Sequence, residues 1–433
     1  MYEKSILKDI LANLLADDTE GYIRRDVQAI IGFFDPWNGF HRQFKEWSED
    51  PDDVKWPTWK ENPSLNELRR IHRLLSRIVT FIEDYISKAT SEYPPRAYLG
   101  LPNLKTGNIS FKGTLLETKI LHFTVLTRSE RYRLLHAFVR YELLCNIHNG
   151  RDDMYHVSEG LCAFSAFGTP GAPDPKTLLS VHEYYKAMYG AVFAHCGDAW
   201  LPDLPSSLPA VTAREQTSDC TTLYRPLQYP DNLFFDAEEY HSDMEVLGSR
   251  VAAELAGCGL DLLTRVLHRL ERDPRSSVSI MLWLYEIRSE TEYKFRPWMH
   301  YLYDQDEDSA YRELRNGCYE DGINELHCLQ LGIYRQRAWG LFDDGRFYPN
   351  TTSHFPTLDE LVGLWHDSQE SRSKDSNWQR RSKSWQDYWA GKRSDRPTTR
   401  TTELDFSGRL ARFFDDKVVT SLPSLARRYY CRG

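Results

Sequence analysis

An apolar stripe at helical spacing, introduced by a helix-start signal, constrains the fold of this chain more than any other sequence feature. The signal is Ser64 followed by Glu67, a pair in which each side chain accepts a hydrogen bond from the other residue's backbone amide. The apolar residues after it recur at intervals of mostly three and four: Leu68, Ile71, Leu75, Ile78, Ile82, Tyr85 and Ile86. These intervals place them on one face of a helix that ends near Lys88.

Similar signals recur along the chain, whereas strand signals are scarce. A Thr-x-x-Glu start predicts a helix from 127 to about 148, and an Asp-Pro start predicts a helix from 174 to 196. Alternating apolar and polar residues with tight turns are rare, and a candidate for a strand is 107–115. The chain is therefore predicted to be mainly α, an irregular multi-helix bundle with few or no short strands.

The length and the local composition predict several sub-assemblies. A single core seldom serves more than about 300 residues, and this chain has 433. We expect an N-terminal helical subdomain at 1–118, a central helical body at 119–367 and a C-terminal tail at 404–433 that packs on the body. Between the body and the tail, residues 368–403 form a basic segment that contains tryptophan.

The composition and the N-terminal residues limit where the protein works. No apolar run approaches the roughly 18 residues of a membrane-spanning helix, since the longest, 278–287, is shorter and contains Glu286. Mixed charges from the third residue onwards are unlike a signal peptide. The eight cysteines form no C-x-x-C pair, which is typical of free thiols inside cells. We predict an intracellular protein, cytoplasmic or nuclear, that is not secreted and has no membrane span.

Known phosphate, nucleophile and metal motifs are missing or incomplete. The chain contains no G-x-x-x-x-G-K-[ST] loop, no G-x-S-x-G elbow and no H-E-x-x-H sequence. Asp304, Asp306 and Asp308 have the spacing of a calcium loop, but Arg315 occupies the place of the bidentate glutamate that the ion requires. We therefore predict no metal site and no cofactor.

Glu142 is a charged residue in a predicted helix that is otherwise apolar around it. On a helical wheel it lies between Leu135, Phe138 and Cys145, so its carboxylate points into the apolar face, whereas Arg140 points elsewhere. A buried carboxylate needs a cation or several donors, or its pKa rises. Two interpretations remain open: an interhelical ion pair that fixes packing, or an acid with a raised pKa in a catalytic cleft.

The basic segment has an amphipathic pattern. Spacings of seven and four place its three tryptophans on one side of a helix, with basic residues on the opposite side. The predicted binding residues are Trp378, Arg381, Lys383, Trp385 and Trp389. They suit an acidic or apolar protein partner bound through 372–396, or docking on the acidic body of the same chain. The net charge of −9 argues against nucleic acid as the partner.

Three segments of the chain resemble uncharacterised proteins of filamentous fungi. They are LTRSERYRLLHAFVRYELLCNIH at 126–148, LLSVHEYYKAMYG at 178–190 and WGLFDDGRF at 339–347. The region that carries the resemblance extends over about 120–350. The resemblance implies an intracellular fungal protein with an α-helical body, and it brings no established activity.

The lack of a complete catalytic set favours a protein-interaction or scaffold module. The first alternative is an enzyme of fungal specialised metabolism with an aromatic-lined pocket and Glu142 as its buried acid. His182, Asp343 and Asp344 are then the candidate catalytic neighbours. The second alternative is nucleic-acid binding through 372–396.

Overall fold

The computed structural model of the chain describes residues 2–33, 63–149, 171–204, 227–240, 251–273, 277, 279–285, 287, 323–349, 354–371 and 377–397. At 148–149, 323–324, 369–371 and 377–378 the description is of the backbone. The predicted tail at 404–433 and the acidic stretch that begins at Asp304 lie outside these residues.

The described residues are mainly α-helical, which confirms the predicted fold class. The helices are α1 (Tyr2–Leu14), α2 (Tyr22–Phe33), α3 (Leu65–Ala89), α4 (Pro94–Leu99), α5 (Arg128–Asn149), α6 (Pro175–Cys196), α7 (Val251–Ala256), α8 (Gly259–Arg272), α9 (Ile323–Gln336), α10 (Leu358–Ser371), α11 (Asn377–Arg381) and α12 (Lys383–Trp389). Single 3-10 turns lie at Phe123–Val125 and Ala237–Tyr240. Within the described ranges, no helix is both long enough and apolar enough to cross a membrane.

A small antiparallel sheet follows α4. Its strands, paired in chain order, are β1 (Leu101–Pro102), β2 (Ile109–Phe111) and β3 (Thr114–Leu115). Lys112 and Gly113 both have positive φ, as a two-residue turn between antiparallel strands requires, and Phe111 pairs with Thr114 across that turn. The strand candidate at 107–115 is therefore a tight hairpin.

Helix α3 begins and ends where its sequence signals predicted. The Ser64 hydroxyl accepts a hydrogen bond from the Glu67 amide at 3.1 Å, and the Glu67 carboxylate accepts one from the Ser64 amide at 2.8 Å. A side-chain cap of this kind stabilises a helix by about 1 kcal/mol. The apolar stripe between this cap and Ala89 is buried, so the predicted face is the one that packs on the core.

Helix α6 lies at the centre of the core. Every residue of α6 from Thr177 to Ala194 except Lys186 is buried, as expected for a helix that has neighbours all round. It packs against α5, α7 and α9. Part of the contact with α5 is aromatic: the rings of Phe138 and Tyr185, for example, lie 5.9 Å apart between centroids.

One apolar cluster extends from Leu7 in α1 to Leu341 after α9. The cluster includes the buried stripe of α3 and the buried residues of α5, and these two helices contact each other directly. The core therefore crosses the predicted boundary between 118 and 119 without interruption. Helices α1 to α3 share their core with the predicted central body.

Candidate functional site

Glu142 caps the start of a neighbouring helix. Glu142 is 3% exposed, and its Oε2 accepts a hydrogen bond from the backbone amide of Leu260 at 2.7 Å. Leu260 lies in the first turn of α8, where backbone N–H groups lack partners within the helix and favour a negative charge. The carboxylate of Glu142 thereby joins α5 to α8. A helix N-terminus takes the place of the cation that the sequence suggested.

Gly259 lets Glu142 come this close to α8. Its φ of +78° is a conformation that favours glycine. A Cβ at this position would lie 2.9 Å from Oε2 of Glu142 and 3.0 Å from Cβ of Cys145. A side chain at 259 would therefore disturb the contact between the two helices.

Burial, helped by the Asp261 carboxylate, raises the pKa of Glu142 to about 7, while the Leu260 amide and Arg77 oppose the rise. Arg77 is itself ion-paired with Asp261. The raised pKa that was predicted for a catalytic acid thus has a structural cause, the enclosure of the carboxylate between two helices.

Arg140 has a different partner, as the helical wheel predicted. Its Nε donates to Oδ2 of Asp26 at 2.6 Å, and both side chains are at most 1% exposed. This pair joins α5 to α2, and it is independent of the contact between Glu142 and α8.

His182 is buried in α6 beside the same junction of α7 and α8. The Tyr141 hydroxyl lies 2.8 Å from Nδ1 of His182 and 3.2 Å from the carbonyl oxygen of Ala256 at the end of α7. Burial lowers the pKa of His182 to about 3, so the imidazole is neutral at physiological pH. These contacts fix the packing of three helices.

Asp343 lies on the surface at the start of α5. It accepts hydrogen bonds from the hydroxyls of Thr127 at 2.5 Å and Ser129 at 2.8 Å, and from Arg133 at 2.6 Å. These contacts lower the pKa of Asp343 to about 2. Asp343 is therefore an ionised anchor for the loop at 339–347.

Asp344 and its neighbours fix the same loop. The Arg346 guanidinium donates to Asp344 at 2.8 Å, which lowers the pKa of this carboxyl. Arg346 also pairs with the buried carboxylate of Glu130 in the first turn of α5. Two of the three segments that carry the fungal resemblance, 126–148 and 339–347, thus contact each other.

The four catalytic candidates do not form one site. Asp343 contacts the first turn of α5, and Glu142 lies about 20 Å further along that helix at 1.5 Å per residue. Glu142 and His182 are at most 3% exposed. The contacts described above, including those of Asp344, hold helices and a loop together, so among the described residues these four candidates are not assembled into one catalytic centre.

The basic segment is docked on its own chain through Arg381. The residue is 7% exposed, its guanidinium is ion-paired with Asp231, and Nη1 lies 3.0 Å from a carboxylate oxygen of Glu239. The same guanidinium stands over the ring of Tyr240 at 5.7 Å. Arg381 is thus occupied inside the protein.

Backbone contacts reinforce this docking. The Trp200 amide donates to the Arg381 carbonyl at 2.7 Å, and the Lys383 amide donates to the Asp198 carbonyl at 2.8 Å. Trp385 is 3% exposed in the first turn of α12. The segment therefore uses both main chain and side chains to bind the body.

The remaining predicted binding residues differ in exposure. The Lys383 side chain is 51% exposed and pairs with Asp387 one turn later. Trp389 is half-buried, with its ring 5.5 Å from that of Trp385. The side chain of Trp378 lies outside the described residues. Of the predicted binding residues, Trp385 is thus buried against the body and Lys383 is exposed to solvent.

A polar cavity of about 200 Å³ lies between α3 and the residues around the small sheet. One wall consists of Thr80, Glu83, Asp84 and Ser87 of α3, and the facing side includes Lys105. The sequence interpretation missed this cavity. The signal that could have indicated it is the polar set at i, i+3, i+4 and i+7, which lies beside the apolar stripe of the same helix.

Comparisons with known proteins give no match: no protein-family description, no curated protein and no solved structure is similar enough to this chain to be reported.

Proposed function

We propose that the protein is a non-enzymatic helical scaffold that binds an acidic protein partner through its basic segment. The observation that carries this proposal is that some side chains of the segment are buried in the body and others are exposed to solvent. Arg381 and Trp385 are buried in the body, whereas Lys392, Arg393 and Arg396 are exposed. The buried pair fixes the segment. The three exposed cations point outwards and form what we call the basic face.

The outward face favours an acidic partner over an apolar one. Trp385, which is 3% exposed, faces the body, and Arg396 covers its ring at 5.6 Å. Exposed cations on an otherwise acidic chain steer an acidic surface to one place and orientation. Because these cations are exposed, salt should weaken the contact.

Nucleic acid is the less favoured partner for this face. The chain has a net charge of −9, and a dense polyanion such as DNA would be repelled by the rest of the surface. A compact acidic patch on a protein can contact the basic face without coming close to the acidic remainder of the surface, so it is repelled less.

The test reverses two exposed charges and leaves the anchor intact. Lys392→Glu with Arg393→Glu should abolish capture of an acidic protein by the full chain, which is measured by quantitative mass spectrometry after crosslinking. The matched control is Arg73→Glu with Lys119→Glu, which makes the same change in net charge at exposed sites elsewhere. The control should retain the partner, and raising salt from about 50 to 500 mM should release it.

Two results would contradict the proposal. Equal capture by both double variants would show that the basic face is not the contact. Capture that disappears after nuclease treatment would assign the face to nucleic acid.

The resemblance to uncharacterised fungal proteins and the intracellular location stay predictions. In the folded chain the three segments that carry the resemblance pack on one another. The 126–148 segment contacts 339–347 through Glu130 and Arg346, and it contacts 178–190 through Tyr141 and His182.

A further inference from the structure

Ser394 is an exposed serine in the middle of the basic face. Lys392 and Arg393 come directly before it, Arg396 lies two residues after it, and all of these residues are exposed. The Ser394 hydroxyl donates to Oδ1 of Asp395 at 3.4 Å, which is long for a hydrogen bond between two oxygen atoms. The hydroxyl is therefore open to modification by an enzyme in the solvent.

Helix α12 ends just before the basic face. Gly391 has a φ of +66°, and its amide donates to the carbonyl of Tyr388 at 3.0 Å. The Lys392 amide donates to the carbonyl of Asp387 at 2.8 Å, which completes the pair of bonds that often ends a helix at a glycine. Within the described part of the chain, the backbone of 394–396 makes no hydrogen bond to other backbone groups. An enzyme can therefore enclose this stretch without unwinding a helix.

Ser382 has a similar local sequence in a different environment. Two basic residues precede it directly, as at Ser394, and Lys383 follows it. Ser382 is 9% exposed; its hydroxyl donates to Oδ2 of Asp198 at 2.6 Å and accepts a hydrogen bond from the Trp385 amide at 3.3 Å. An enzyme that recognised the sequence alone would treat the two serines alike. The fold makes Ser394 the accessible one of the pair.

A phosphate group on Ser394 would cancel the charge of the basic face. The stretch 392–396 contains three basic residues and one acidic residue, which gives a formal charge of +2. A phosphoserine carries about −1.5 to −2 at pH 7. Arg396 is two residues away, at most about 7 Å along the chain, which is within the Debye length of about 8 Å at physiological salt. The sum is close to zero, so the face would no longer attract an acidic surface.

We propose that Ser394 is a phosphorylation site and that its phosphate prevents the basic face from binding an acidic partner. The enzyme is a serine kinase with an acidic substrate groove, which suits basic residues on both sides of the serine. The site does not depend on the proposed function, whereas the effect on partner binding rests on it.

The phosphate donor is ATP, and the reaction is a transfer of its γ-phosphoryl group. The bond between the γ-phosphorus and the oxygen that bridges it to the β-phosphate breaks, and ADP leaves. A bond forms from Oγ of Ser394 to that phosphorus, and the hydroxyl proton passes to a carboxylate of the kinase.

The first measurement locates the phosphate on the full chain. The folded protein is incubated with Mg²⁺, ATP and a purified serine kinase that selects basic sequences, and mass spectrometry follows each serine over time. Ser394 should be modified roughly ten times faster than Ser382 or more, because Ser382 reacts only when the segment opens. A rate at Ser382 or Ser384 that equals the rate at Ser394 overturns the site, and so does a chain that stays unmodified at Ser394.

The second measurement tests the effect on binding. Fluorescence anisotropy reports the affinity of the full chain for a labelled polyglutamate peptide, before and after treatment with the kinase. Phosphorylation should weaken binding about tenfold, since it offsets several exposed charges at once. The Ser394→Ala chain, treated in the same way, is the matched control for phosphate at other positions and should bind like the untreated wild type.

Two results overturn the effect on binding: an unchanged affinity when Ser394 is fully modified, or an equal loss of affinity in treated Ser394→Ala. A chain that binds the peptide in neither state would count against the proposed function, and the effect on partner binding would fall with it. The rates at Ser394 and Ser382 decide the phosphorylation site in either case.

Discussion

Glu142 carries a free-energy term that depends on pH, although it is buried. In the folded chain its pKa is about 7, against an ordinary value of 4.5. Between these two values the folded chain keeps a proton that the unfolded chain has lost, so the free energy of unfolding decreases as the pH rises. At 1.36 kcal/mol per pH unit, the decrease amounts to about 3 kcal/mol.

Replacing Glu142 with glutamine should remove this term. A glutamine side chain still offers an oxygen to the Leu260 amide, but it does not titrate. We expect the free energy of unfolding of Glu142→Gln, relative to the wild type, to rise by about 3 kcal/mol between pH 4.5 and pH 7.5. Urea unfolding at pH values across this range measures both chains.

The control for this measurement is Glu117→Gln, at an exposed glutamate. Its pH profile should follow that of the wild type. If Glu142→Gln also runs parallel to the wild type, the pKa of Glu142 is not raised by folding.

At the scale of elements, local sequence signals placed several helix ends correctly. Ser64 with Glu67 and Thr127 with Glu130 form the predicted reciprocal caps, because such a cap depends on residues three positions apart. The same reasoning could not place the basic segment. Its ion pair with Asp231 joins residues 150 positions apart, and no local pattern encodes that distance.

The docking of α12 depends on Trp385. Trp385→Ala removes a side chain that is 3% exposed, and buried tryptophans contribute about 3–5 kcal/mol. We expect the segment around α12 to open more often, so that trypsin cleaves faster after Lys383, Lys392 and Arg393. Mass spectrometry of timed digests measures the rate at each site.

Trp389→Ala is the control for this digest, because Trp389 is half-buried in the same helix. It should accelerate cleavage less than Trp385→Ala. Equal rates in the two variants would mean that the burial of Trp385 does not hold the segment.

At the scale of the whole molecule, the continuous core joins parts that the length of the chain had suggested would be separate. The cluster from Leu7 to Leu341 includes residues of α3, α5 and α6. Composition alone could not reveal this, since the same apolar residues serve one large core or two small ones. The polar cavity was out of reach for a similar reason, because it forms where the residues around the sheet fold back onto α3.

A shared core predicts shared unfolding. Amide hydrogen exchange in α3 should report the same opening free energy as exchange in α6, because neither helix can lose its packing alone. Mass spectrometry of peptides from 65–89 and 175–196, followed over a denaturant series, makes the comparison. An α3 that opens at much lower denaturant than α6 would indicate an independent subdomain at 1–118.

The attachment of residues 377–397 has a practical meaning for the design of shortened versions of the protein. A chain cut after α10 would lack the guanidinium that neutralises Asp231 and the carbonyl that receives the Trp200 amide. It would expose the charged and apolar surface that the basic segment covers in the full chain. A shortened chain expressed for crystallography should therefore include residues up to at least 397 if it is to stay monodisperse.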